Sequence, residues 1–132
     1  MAINLKRAKS ILKKAVLKSE ELNLHVAIAI FDSENDLVLF QKMDNTPDLC
    51  VKLSQAKALT ALKLMNDTDK FSYLVTKNNG ILSDIRYEES ISLIGGGKII
   101  LENGRVIGAL GISGGTEEQD VEVAAFAISD CV

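Results

Sequence analysis

The 132-residue sequence predicts an α/β domain of the α+β kind, with helices packed on a mostly antiparallel sheet. Three observations predict it. Apolar residues recur at helical spacing near both ends and in the middle of the chain, while the segments between are short and β-prone. Tight polar turns join those segments, above all Asn103-Gly104, the strongest short hairpin signal present. The order is helix, two strands, helices, three strands, helix, which gives five strands with helices on the sheet.

Residues 4 to 22 carry Leu5, Ala8, Ile11, Leu12, Ala15, Val16 and Leu22 on one helical face, with lysines largely on the other. A basic amphipathic helix can lie on a membrane, but its direct run into a strand favours packing against the sheet. His25 to Asp32 is nearly all apolar, as in a strand buried on both faces. Ser33 to Asp36 is a turn, and Leu37 to Met43 returns as a hairpin partner. Asp48 is placed to cap a second helix over Leu49 to Met65. Asp67 or Thr68 then caps a short turn over Phe71 to Val75. Residues 81 to 90 fit no pattern. Ser90 to Ile94 reads as a short strand, Lys98 to Glu102 as another, and Arg105 to Ser113 returns from the hairpin. Glu117 to Cys131 forms the last helix.

Length fits one domain over 1–132, since domains cluster near about 100–150 residues. With 47% hydrophobic residues and one proline, the chain can bury a core. A net charge of −3 and no tryptophan argue against a nucleic-acid partner. Six lysines and arginines crowd residues 6 to 18, whereas acids accumulate after Arg105. The two ends are either opposed solvated faces or attract each other, within a subunit or between subunits. Cys50 and Cys131 lack metal or disulfide spacing and read as reduced thiols. The longest apolar run is too short for a membrane span, and lysines interrupt any secretory h-region. A cytoplasmic protein with no membrane partner is expected.

The richest stretch runs from Gly104 to Asp120. A strand enters Gly114-Gly115, and Thr116 stands three residues before Gln119, the spacing of a capping box. Bare amides before a helix can also cradle an anion. Against that, Glu117, Glu118 and Asp120 already satisfy the helix dipole and would repel a phosphate. The cap is the stronger reading on physical grounds.

Several patterns occur together in order. They are Phe31-Asp32, Phe40-Gln41-Lys42-Met43-Asp44, the helix Ser54-Gln55-Ala56-Lys57-Ala58-Leu59-Thr60-Ala61, Gly95-Gly96-Gly97, and Gly108 through Asp120. In combination they resemble the GlcG/HbpS family, also known from the C-terminal domain of PduO-type proteins and often labelled haem-degrading. The resemblance spans essentially the whole chain. It implies a profilin-like sandwich with a five-stranded sheet, and a homo-oligomer of dimers assembling to an octamer. It also implies an accessory role in catabolism, with a small-molecule ligand that is haem or, as second choice, a corrinoid. Two departures stand out: His25 replaces a common proline, and Lys42-Met43-Asp44 replaces the usual Arg-Met-Asp-Gly.

His25 is the sole histidine and hence the foremost candidate axial ligand for haem iron, although a histidine at a strand mouth is commonly just hydrogen-bonded. Met43 offers a thioether but equally suits a core. Tyr73 and Tyr87 are further candidates without supporting spacing. Lys57 could pair with a propionate or phosphate, or snorkel to solvent. The expectation is that Lys57 shares a pocket with the amides of Gly114, Gly115 and Thr116. No nucleophile–histidine arrangement is available. The alternatives to tetrapyrrole binding are a small enzyme acting on an acidic metabolite, held by Lys57 and those amides, and a ligand-free structural oligomer.

Overall fold

A computed structural model describes residues 2–70 and 92–131. The expected turn over Phe71 to Val75, the unassigned segment 81–90, Tyr73 and Tyr87 lie outside the described residues. Helix α1 spans Leu5–Glu21, strands β1 and β2 span Ala27–Asp32 and Leu37–Lys42, and α2 spans Leu49–Leu64. Strands β3 (Gly97–Glu102) and β4 (Arg105–Ser113) precede α3 (Glu117–Ala127). The sheet order is β2-β1-β4-β3, antiparallel at every pairing.

Period-two alternation divides β1 between two cores. Ile28 and Ile30 face α1 and α3, with Ile11, Ala15, Leu110, Ile112, Val123 and Ala127. Ala29 and Phe31 face α2, with Ala58, Ala61, Leu62 and Ala109. That second face is built largely from small residues, so α2 sits unusually close to the sheet. A Cβ on Gly111 would overlap the carbonyl oxygen of Ser54, and one on Gly97 the carbonyl oxygen of Lys57. The β3–β4 turn places Asn103 at φ 53° and Gly104 at φ 75°, both positive as a type I′ hairpin requires.

Two expectations need correction. Among the described residues the sheet has four strands, where the sequence predicts five. Residues 92–94 form no ladder because their backbone is claimed elsewhere. The Ser92 amide donates to Thr60 Oγ1 at 2.8 Å, and the Ile94 carbonyl accepts from Thr68 Oγ1 at 2.8 Å. Asp48 is not a side-chain cap: it already has helical angles, φ −58° and ψ −33°. Its carboxylate lies 3.7 Å from Lys42 Nζ instead. Asp67 and Thr68 accept from the Ile99 and Gly97 amides and cover that edge of β3, while the turn they are expected to cap lies outside the described residues. The outer edge of β2 carries no further strand among the described residues.

Basic α1 and acidic α3 attract each other within the subunit. Lys14 Nζ is 3.0 Å from Asp130, and Lys18 Nζ is 3.5 Å from Glu122 and 5.4 Å from the Phe126 ring centroid. Cys50 and Cys131 are buried free thiols. No helix among the described residues is long and apolar enough to cross a membrane.

Candidate functional site

Two places hold the residues that the sequence singles out. The first is the turn between β4 and α3. Thr116 accepts from the Gln119 amide while the Gln119 side chain accepts from the Thr116 amide, a complete capping box. Gly114 takes φ +153°, and a Cβ there would meet the His25 carbonyl oxygen, so only glycine lets the turn close on the entrance to β1.

Beneath this turn lies Lys57, 2% exposed. Its Nζ donates to Asp120 Oδ2 at 3.0 Å and to the Ile112 carbonyl at 2.9 Å. Asp120 Oδ1 in turn accepts from the Gly115 amide at 2.8 Å. The structure therefore brings Lys57 and the glycine turn together, and the anion between them is the chain's own carboxylate. Burial pushes the Asp120 carboxyl above its ordinary value, against the opposing pull of the Lys57 ammonium and the Gly115 and Gly114 amides. Glu117 Oε1 accepts from the Gly95 amide at 2.9 Å, which ties the two glycine turns to one another.

Sequence reasoning missed Asp120 as the partner of Lys57. A signal was available: Asp120 shares a helical face with Val123, Ala124 and Ala127, all buried. A lone acid on one buried stripe and a lone lysine on another ask for each other.

The second place is a recess of about 450 Å³ at the end of α1, lined by Glu20, Asn23, Leu24, His25, Met43, Asp44 and Asn45. It unites the two axial-ligand candidates. His25 is exposed and Met43 half-buried, its inner side packed on the α1-side core. An imidazole and a thioether lining one recess make a donor set suited to haem iron. A further cleft of about 530 Å³ at the start of α1 contains Arg7 and Lys14, but both cations are already engaged, with Glu102 and Asp130.

A family model described as "haem degrading protein HbpS-like" matches residues 3–129. The chain belongs to the HbpS-like family. Among its relatives is an uncharacterized 15.0 kDa protein of the dhaT-dhaS intergenic region of Citrobacter freundii, 33% identical over 98% of this chain and 91% of the other. The corrinoid adenosyltransferase PduO of Citrobacter freundii is 27% identical over 98% of this chain, which spans 39% of that longer protein. Among solved structures, a PduOC–haem complex superposes with TM-score 0.89 at 27% identity, covering 98% of this chain and 94% of the other. Membership in the HbpS-like family accords with the α+β fold.

Proposed function

We propose that the chain is a small accessory protein that binds a tetrapyrrole, haem first, in support of a catabolic pathway, and that it works as a homo-oligomer. The observation that carries this reading is the recess that His25 and Met43 both line. The likeness to a protein crystallised with haem supports it. The bound group would supply an iron centre. The chain's part is to present the His25 imidazole and the Met43 thioether and to exclude water with Leu24.

Similarity to a corrinoid adenosyltransferase favours a corrinoid as the second ligand to try. An acidic metabolite held by Lys57 and the amides of Gly114, Gly115 and Thr116 is a weaker reading, because Asp120 fills that anion position.

Haemin titration followed by absorption is the test. The expected result is a Soret band that saturates at fixed stoichiometry and survives desalting, with a shifted band in His25→Ala. Non-saturating, detergent-like uptake would overturn the reading. Saturation by cobalamin in place of haemin would move it to the corrinoid.

A further inference from the structure

The recess around His25 does not end at α1. A second recess of about 380 Å³ lies along the outer face of that helix, lined by Lys9, Leu12, Lys13, Val16, Leu17, Glu20 and Gln41. Glu20 lines both, so the two recesses adjoin at that side chain. Gln41 and Met43, two apart along β2 and its exit, stand on the same side of the sheet and floor them. The pair of recesses is graded in character. At the His25 end it carries Asp44, and Glu20 stands where the two recesses meet; between Glu20 and the lysines it is apolar, with Leu17 57% exposed. At the far end stand Lys9 and Lys13. From Lys13 to Glu20 is about 10 Å of helix axis, the scale of a flat macrocycle rather than of a small metabolite.

The charges select an orientation. Arg7, Lys14 and Lys18 are committed to Glu102, Asp130, Glu21 and Glu122. Lys9 and Lys13 are exposed and form no ion pair with any described residue. Carboxylates of a ligand are repelled by Asp44 and by Glu20 at the junction and attracted by Lys9 and Lys13.

The geometry points to Lys9 and Lys13 as a carboxylate clamp for an amphipathic tetrapyrrole lying along α1, its propionates at the lysine end and its metal toward His25 and Met43. This rests on the haem-binding reading and adds the ligand's orientation and its need for free carboxylates.

The test compares haemin with haemin dimethyl ester, whose propionates carry no charge. Wild-type protein should bind haemin about tenfold more tightly than the diester, the scale that two exposed charge pairs supply. Lys9→Glu/Lys13→Glu should erase that preference and leave the Soret position of the bound form unchanged. Lys6→Glu, on the same helix but outside both recesses, should keep it. Leu17→Asp should weaken both ligands alike. Equal wild-type affinity for the two ligands, or an unchanged preference in the double variant, overturns the clamp while leaving a His25-dependent Soret band intact. Failure of wild-type protein to saturate with haemin removes the underlying reading as well.

Discussion

Lys57 brings a full charge to a position 2% exposed, and Asp120 answers it from another element. Desolvating either ion alone is costly, whereas the pair with its amide and carbonyl contacts is tolerated. Lys57→Met should lower unfolding free energy by about 3–5 kcal/mol, read by urea denaturation. Lys57→Met/Asp120→Asn should recover part of that loss, because the new amide side chain keeps an acceptor for the Gly115 N–H without a stranded charge. Strictly additive losses in the cycle would show that the two side chains act independently. The pH dependence has a definite sign. Asp120 is raised by burial in the folded state, so folded protein holds that proton to higher pH than unfolded chain. Its contribution to stability therefore declines as pH rises from about 4, the ordinary aspartate value, through the raised value. Removing Lys57 removes a lowering influence, so Lys57→Met should widen that window. A narrower window in denaturation series at several pH values would contradict the assignment.

Helix α2 and the sheet approach so closely because both contribute backbone where other folds contribute side chains. Gly111 faces the Ser54 carbonyl, an atom that cannot swing aside. Gly111→Ala should cost about 1–3 kcal/mol through overpacking, visible as a lower Tm in thermal melts. A wild-type melting temperature would mean that α2 can shift freely. At α3 the capping box satisfies two backbone donors that the helix itself leaves open. Thr116→Ala should cost about 1 kcal/mol and leave the Lys57–Asp120 pair in place. A loss several times larger would show that the turn carries more than a cap. Both elements are legible as helices from apolar spacing, while the true role of Asp48 is not. Spacing offers no sign that Asp48 is already wound into the first turn, with the Cys50 amide on the Pro47 carbonyl at 3.0 Å.

At the scale of the molecule, the apolar content of α3 predicts more surface than one subunit could cover. Val123, Ala124 and Ala127 are buried against α1 and the sheet, Val121 and Ile128 are half-buried, and Phe126 is 36% exposed beneath Lys18. Most of the surplus is absorbed internally, so the proposed association should not depend on α3. Light scattering at concentrations on the order of tens of micromolar should give an oligomer, and Phe126→Ser should preserve it. A clean monomer for wild-type protein would remove the proposed assembly; dissociation of the variant would return the interface to α3. The exposed Leu17 and Leu37 and the edge of β2, which carries no further strand among the described residues, lie elsewhere.

Local chemistry is readable in advance wherever a pattern is short-range. The Asn103-Gly104 hairpin, the Thr116–Gln119 box and the doubly buried β1 follow from turn sterics, capping and apolar periodicity, all decided within a few residues. At residues 92–94 the expected fifth strand misleads because β-propensity says nothing about which distant groups take the backbone. The likeness of motifs to a family is legible too, as is the proximity of Lys57 to the glycine turn. What occupies the space between them is not: Asp120, 63 positions away from Lys57, meets it only once α2 and α3 dock on opposite sides of the sheet end. The same holds for His25 and Met43, and for the lysines of α1. Their adjoining recesses exist because β2 returns beside α1, a long-range arrangement that residue spacing cannot encode.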